Sequence, residues 1–312
     1  MDVLSDVLAT LRLRSSLYFR AEFGGPWAAR VPADPGTVRF HLLLQGECVL
    51  QVPGIPGHSV LAAGDVALVP HGAEQTLADA PGRQALELPE VFAAARFDGT
   101  GPLSLGLRPG ERFSRMICGF CRFDPGADHP LIRSLPPLIV LRAAENPGEN
   151  WLADALRLMS YEAQNELPGA GAILDRLADI VLVQGVRSLA QRAEGGEGVY
   201  AALSDRSLSR ALAAIHARPE ADWTVEALAR EAGLSRSRFA ELFTARLGMP
   251  VARYLAEWRL QKARRLLGDT GLSVAEIAHR VGYESLPSFT RRFTRQFGMG
   301  PGRFRREASA AA

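Results

Sequence analysis

Three cysteines and a set of arginines carry the reactive and charge-bearing groups of this chain. Cys118-Gly119-Phe120-Cys121 is a CxxC, and Cys48 lies on a separate apolar run. With three cysteines and no secretory signal, that spacing suits thiolate metal binding or thiol–disulfide exchange better than a disulfide scaffold. Three readings stay open: buried packing residues, a thiol group that senses an oxidant or electrophile, and a thiolate-bound zinc. Free cysteine is commonly a small buried hydrophobe. Arg112, Arg115 and Arg122 lie near the pair in sequence and would favour thiolate by charge if they approach it in space. If Ser114–Phe123 is a regular strand, positions three apart point to opposite faces, and both sulfurs reach one ion only through a bulge, which Gly119 could supply. His41, His58, His71 and His129 have no diagnostic ligand spacing, so no metal site is assigned to them.

The elements that position charge are clearest near the C-terminal end, where a segment is nearly duplicated. Thr224–Val251 reads TVEALAREAGLSRSRFAELFTARLGMPV, and Ser273–Pro301 reads SVAEIAHRVGYESLPSFTRRFTRQFGMGP. Gly233 pairs with Gly282 at an offset of 49 residues, and Phe239 and Phe243 pair with Phe289 and Phe293 at 50. The second copy therefore has one extra residue in its turn. In the first copy Thr224 caps a helix whose apolar face is Val225, Leu228, Ala229 and Ala232, and Gly233 ends it. Ser235 caps the next helix, with Phe239, Leu242, Phe243 and Leu247 inward. In the second copy Ser273 and Glu276 form a capping box, Gly282 turns the chain, and Phe289, Phe293 and Phe297 face the core. Each copy is a helix-turn-helix pattern, and a helix over Val251–Leu267 joins them. Two such units in tandem can address two major-groove segments of one duplex.

Charge supports that reading over a plain helical bundle. Residues 204–312 hold 19 Arg plus Lys against 11 Asp plus Glu, net +8, whereas residues 1–203 hold 17 against 23, net −6. A basic C-terminal third suits phosphate contacts, and an acidic remainder limits non-specific adhesion to DNA.

The stretch from LAREAGLSRSRF to IAHRVGYESLPSFTRRFTRQFGMGPGRFRR resembles the DNA-binding domain of AraC/XylS-type transcription regulators over about Leu203–Arg306. The resemblance implies two helix-turn-helix subdomains reading adjacent major-groove segments about one turn (~34 Å) apart. Positions facing away from the core are then the candidate DNA contacts. In the first recognition helix these are Arg236, Ser237, Arg238, Ala240, Glu241 and Thr244; in the second, Leu286, Ser288, Thr290, Arg291, Arg292 and Arg295. Arginine to guanine is the commonest specific contact, so Arg236 and Arg291 are the leading base readers, while later arginines more often meet phosphates.

The rest of the chain has a different texture. Met1–Arg14 reads as an amphipathic helix carrying Asp2, Asp6, Arg12 and Arg14 rather than as a signal peptide. No apolar run reaches the ~18 residues of a membrane span, so no membrane partner is expected and the chain is placed in the cytoplasm. Short apolar runs at Val38–Leu44, Glu47–Val52, Val66–Val69, Leu86–Leu88, Val91–Arg96 and Ser114–Phe123 read as strands of a small β-barrel or sandwich. Gly64-Asp65-Val66-Ala67-Leu68-Val69-Pro70-His71-Gly72 resembles the second cupin motif, but the metal-binding histidine position is Gln75. The first motif, around Phe40-His41-Leu42, keeps one histidine. Beyond residue 148, helices over Asn150–Asn165 and Ala170–Arg192 follow. The second is apolar around most of its circumference, which fits the dimerisation role implied by the resembled family.

The fold expected is thus α+β and multidomain. It has a cupin-like β-barrel over residues 1–148, a helical dimerisation element over 149–193, a flexible linker over 194–202 and an all-α double helix-turn-helix domain over 203–312. The function expected is a regulator acting on double-stranded promoter DNA as a homodimer, meeting RNA polymerase if it activates. It would sense a small-molecule effector, or an oxidant or electrophile through Cys48, Cys118 and Cys121. No enzymatic role is expected. The alternatives are a cupin-type enzyme with an accessory DNA-binding domain, disfavoured by Gln75, and a constitutive architectural DNA binder, which would not need a large β domain.

Overall fold

In the computed structural model the described residues are 2–12, 14–99, 101–124, 126–143, 151–165, 167–192 and 198–310. They divide into two units, each assembled from separate stretches of sequence. A sheet unit comprises Leu13–Phe123 and Leu135–Arg187, and a helical unit comprises Met1–Arg12, Asp124–Ser134 and Ser188–Ala312. The units are therefore interleaved along the chain, unlike the contiguous segments expected from composition.

Helix α1 (Val3–Leu11) opens the chain, followed by strands β1 (Arg14–Gly24), β2 (Ala28–Val31), β3 (Thr37–Gln45), β4 (Glu47–Gln51), β5 (Ser59–Ala62), β6 (Val66–Val69), β7 (Gln75–Ala78) and β8 (Leu86–Glu87). Then come α2 (Leu88–Ala94), β9 (Pro102–Leu105), β10 (Phe113–Arg122), α3 (Pro130–Arg133), β11 (Ile139–Leu141), α4 (Trp151–Asn165) and α5 (Ala170–Arg192). The remaining helices are α6 (Val199–Ser204), α7 (Arg206–Ala217), α8 (Val225–Ala232), α9 (Arg236–Leu247), α10 (Val251–Asp269), α11 (Val274–Arg280), α12 (Leu286–Phe297) and α13 (Pro301–Ala310). Of the flexible linker expected over residues 194–202, residues 194–197 lie outside the described residues, while Val199–Ser204 is helix α6, which corrects that end of it.

The strands form two sheets, ordered β11-β6-β3-β10-β1-β9 and β5-β4-β7-β2-β8. Neither closes on itself, which corrects the expected barrel to a pair of open sheets. The edge strands β11, β9, β5 and β8 are all short. Phe23, Leu43 and Met116 of one sheet share a core with Val31, Leu50 and Leu77 of the other. A second correction concerns Val91–Arg96, expected as a strand. Its start falls in α2, where Pro89 occupies an early helical position and Glu87 and Glu90 form a capping box. Helix α5 buries Leu174, Leu177, Val181, Leu182 and Val186. It approaches the sheet closely because Gly185 has no side chain: a Cβ there would stand 2.7 Å from Leu68 Cδ1. Ile173 and Ile180, seven residues apart, remain exposed at 40% and 47%.

In the helical unit α10 is the central element, and a chain of hydrogen bonds anchors the sequence-remote pieces to it. Asp6 of α1 accepts from His216 Nδ1 of α7 at 2.9 Å, and His216 Nε2 is 2.8 Å from the Tyr254 hydroxyl. That hydroxyl is 3.0 Å from His129 Nε2, while His129 Nδ1 accepts from the Leu131 backbone N–H at 3.2 Å. Partner chemistry fixes every proton. His129 must carry its proton on Nε2 and donate to Tyr254, Tyr254 donates to His216 Nε2, and His216 donates to the Asp6 carboxylate. Lys262 completes the set with a 2.5 Å contact to the other Asp6 oxygen. Burial holds both imidazoles below the usual histidine range, His129 furthest. Burial alone would raise Asp6, but its bonds to His216 and Lys262 outweigh it and hold the carboxyl low.

These shifts set a direction for acid sensitivity. Unfolding returns the imidazoles to an ordinary value near 6.5, so below that pH the unfolded chain binds more protons and the folded state loses stability as pH falls. Asp6 adds a further loss as the pH drops below its own unfolded value. The full-length protein should therefore unfold at a lower temperature at pH ~5.5 than at pH ~7.5. Asp6→Ala should cost about 3 kcal/mol near neutrality, because it strands Lys262 and the His216 donor. Thermal unfolding followed by circular dichroism reads both. A variant as stable as wild type would show that the hydrogen-bond chain contributes nothing to the fold.

Candidate nucleic-acid interface

Each recognition helix is started by a serine. Ser235 accepts from the Arg238 N–H and Ser285 from the Ser288 N–H, both at 3.4 Å. The preceding turns depend on glycine: Gly233 and Gly282 have φ of +69° and +84°, a region L side chains avoid. Phe239 and Phe243 in α9, and Phe289 and Phe293 in α12, are fully buried and fix which face of each helix looks outward. Arg236, Ser237, Arg238, Glu241 and Thr244 are exposed on α9, with Ala240 half-buried at the flank. On α12 Leu286, Arg291, Arg292 and Arg295 are exposed, while Ser288 and Thr290 are half-buried. Ala245, Thr294 and Gln296 are also exposed on these helices and lie outside the expected contacts.

Aligned on their serine caps, the two helices carry different chemistry at equivalent positions. Arg236 corresponds to Leu286, Arg238 to Ser288 and Glu241 to Arg291. Arg236 is held by Glu226 of α8 at 2.8 Å, a solvent-exposed pair that orients the guanidinium more than it stabilises the fold. Arg292 and Arg295 line a groove against α10 with Arg253 and Glu257, whereas Arg291 does not.

One positioning residue has no sequence signal. The Arg259 guanidinium of α10 donates to the carbonyls of Pro219 at 2.6 Å, Ala221 at 2.8 Å and Gly282 at 3.0 Å. It ties the turn of the second helix-turn-helix to the segment entering the first. Nothing local in the sequence separates this arginine from its neighbours on the same helix.

The sheet unit does not gather the cysteines into one site. Strand β10 runs in unbroken register with β3 from Met116 to Arg122, so Gly119 makes no bulge there. The irregularity lies across the ladder in β1, between Leu17 and Phe19. Cys118 faces the shared core with Cys48, while Cys121 is buried but not part of that core. Arg115 and Arg122 each pair with a carboxylate at 2.9 Å, Glu22 and Asp34 respectively, rather than favouring thiolate. Burial pushes Cys48 up to about 12, and Cys118 higher still, so both are held as thiols. Among the described residues no group of three or more His, Cys, Asp or Glu side chains could hold a metal ion.

Cys118 instead lines a small cavity of about 30 Å3 with Phe19, Phe23, Val31, Arg39 and His41. That is room for a water molecule or two. His41 Nδ1 is 3.1 Å from Cys118 Sγ, and burial lowers the imidazole to about 4. Gln75 lies beside it, fully buried. His41 Nε2 and both Gln75 amide heteroatoms lack a hydrogen bond of good geometry. The metal of the cupin resemblance does not fit here, since one imidazole and one neutral amide supply no anionic donor set. The other histidines are occupied elsewhere or exposed: His71 bonds the Leu135 carbonyl at 2.8 Å, and His58 faces solvent.

Comparison with known proteins finds two family matches along the chain. Residues 2–191 match the Cupin family, and residues 228–307 match the Helix-turn-helix domain family. A protein of Streptomyces lividans described as an AraC-like transcription regulator is 34% identical over 98% of this chain and 98% of its own length. The HTH-type transcriptional regulator AlkR of Acinetobacter baylyi is 30% identical over 99% of this chain and all of its own. Among solved structures, an AraC-type DNA-binding regulator from Chromobacterium violaceum is 28% identical, with a TM-score of 0.33. It covers 34% of this chain and 95% of its own. No helix among the described residues is long and apolar enough to cross a membrane.

The burial of Cys48 and Cys118 has a direct readout. In the native protein at pH ~8 these two thiols should react with a disulfide reagent far more slowly than after denaturation, because thiolate is the reactive form. Immediate reaction of all three cysteines in the folded protein would contradict their burial.

Proposed function

The chain belongs to the AraC-like transcriptional regulators, joining a cupin domain to an AraC-type DNA-binding domain, and on that basis we propose how it reads DNA. Helices α9 and α12 each enter a major-groove segment, with the residues nearest their N-termini at the base edges. The observation that carries this is the pair of serine-capped helices whose phenylalanines are buried and whose first turns are solvent-exposed, joined through α10 and its Arg259 tie. Arg236, pre-oriented by Glu226, suits a bidentate guanine contact. Arg291 is the leading reader of the second helix, and Arg292 and Arg295, beside the α10 groove, suit phosphates.

We propose that the cupin unit responds to a small uncharged molecule rather than to cysteine oxidation. Support comes from the cavity wall, which is apolar apart from Arg39 and the neutral imidazole of His41, with the buried Gln75 amide beside that imidazole. The cavity as it stands holds a water molecule or two, so a ligand larger than that enters only as the wall around His41 widens. Cys118 then serves as a wall residue and Cys48 as a packing residue of the same core. Gln75 at the histidine position of the cupin motif weighs against an enzymatic role. Self-association is proposed through exposed apolar residues of the sheet unit, Leu158 and Tyr161 of α4 and Ile173 and Ile180 of α5. Contact with RNA polymerase follows if the protein activates.

Full-length protein should bind its promoter DNA with an affinity that falls about 10³-fold between roughly 50 and 200 mM salt, as expected for about six phosphate contacts. Arg236→Ala and Arg291→Ala should each cost ~1–3 kcal/mol and relax preference at different half-sites. Equal weakening on every sequence would reassign them to phosphates. For self-association, Ile173→Glu and Ile180→Glu should give soluble monomer in sedimentation, and a wild type monomeric at micromolar concentration would remove that part of the proposal.

A further inference from the structure

We propose that Leu286 is a specificity-determining residue that reads the C5 methyl group of a pyrimidine, thymine in unmodified DNA, in the half-site of the second helix-turn-helix. The proposal rests on the DNA-reading function given above. Among the described residues of the helical unit, Leu286 is the single large apolar side chain left substantially exposed, at 42%. It is also the first residue of α12 and the counterpart of Arg236 in the other copy. The inner face of α12 is already filled by Phe289 and Phe293, so Leu286 has no core position to occupy.

Its setting favours a nucleic-acid occupant over an apolar protein surface. The same helix carries Arg291, Arg292 and Arg295 exposed and no acidic residue, which draws a phosphate-lined groove to this face. Ser285 caps the helix, and Pro287 fixes the first turn without leaving an N–H to satisfy. The leucine is therefore presented on a stiff base. A leucine can neither donate nor accept a hydrogen bond, so it reads nothing in the polar code of the major groove. What it can recognise there is the thymine methyl, which cytosine and the purines lack. The two copies would then read unlike features, a hydrogen-bonding base edge by Arg236 and a methyl group by Leu286.

Deoxyuridine tests this without altering the protein, because it differs from thymidine only by that methyl. Duplexes bound by the full-length wild type are first selected from a random library and their common sequence determined. Each thymine is then replaced singly by deoxyuridine, and Kd is measured for wild type and for Leu286→Ala. The expected result is one thymine, in the half-site insensitive to Arg236→Ala, whose replacement weakens wild type about four-fold, the ~0.8 kcal/mol of one buried methyl-sized group. Leu286→Ala should lose about as much on thymine and nothing further on deoxyuridine. If every replacement is tolerated by wild type while selection and the Arg236 dependence persist, DNA reading stands and this inference falls. It falls equally if Leu286→Ala binds all duplexes as wild type does but loses activation by polymerase, which would give the residue a protein partner. Failure to select any sequence would instead overturn the DNA-reading function itself. Comparable thermal unfolding of wild type and Leu286→Ala keeps the comparison free of folding effects.

Discussion

The hydroxyl of Tyr254 has one proton and two imidazole neighbours, and much of the helical unit depends on how that proton is shared. Because the Leu131 N–H occupies His129 Nδ1, the direction of donation is fixed from His129 through Tyr254 and His216 to Asp6. Each group satisfies the next only if both histidines are neutral and Asp6 is ionised. A buried network of this kind is stable when every member is paired and costly when one is not. Four elements distant in sequence, α1, α3, α7 and α10, are bound into one arrangement by it. The same α10 carries Arg259, which fixes the turn of the second reading helix. The polar chain and the guanidinium together make α10 the reference to which both helix-turn-helix pairs are set.

The sheet unit follows a different logic. Its core is apolar, and among its buried polar groups His41 and Arg39 reach a small cavity, with Gln75 beside the imidazole. Cupin geometry survives in the strands around them, while the donor set a metal would need does not. Burial holds the His41 imidazole neutral there, and no group of ligands around it could hold a metal ion among the described residues.

What could be read from the sequence was local. The serine and threonine caps, the glycine turns and the phenylalanine faces all follow from residues within a few positions of one another, and the duplication checked each against its copy. What escaped was set by distance along the chain or by competing local chemistry. Asp6 meets His216 and Lys262 across more than 200 residues, and nothing in an amphipathic first helix marks that carboxylate as a buried partner. Arg259 acts on backbone carbonyls, which have no sequence signature. In Val91–Arg96 the apolar run suggested a strand, but Pro89 and the Glu87–Glu90 box had already committed the chain to helix. Apolar content marked α5 for burial and association without saying which residues do which. The close approach of Gly185 to Leu68 goes with a face that turns Leu174 and Val181 inward and leaves Ile173 and Ile180 exposed.

Helix α10 also acts as a ruler. Each residue of an α-helix advances ~1.5 Å and turns by about 100°. Inserting or deleting one residue within α10 would swing the second helix-turn-helix roughly a quarter-turn around the helix axis and part Arg259 from the carbonyls on one side, either Pro219 and Ala221 or Gly282. No small change in its length leaves the two helix-turn-helix pairs in phase. In the mode of reading proposed above, the separation of half-sites would be set by the protein: a promoter could drift in sequence between its two contacted segments, but not in spacing.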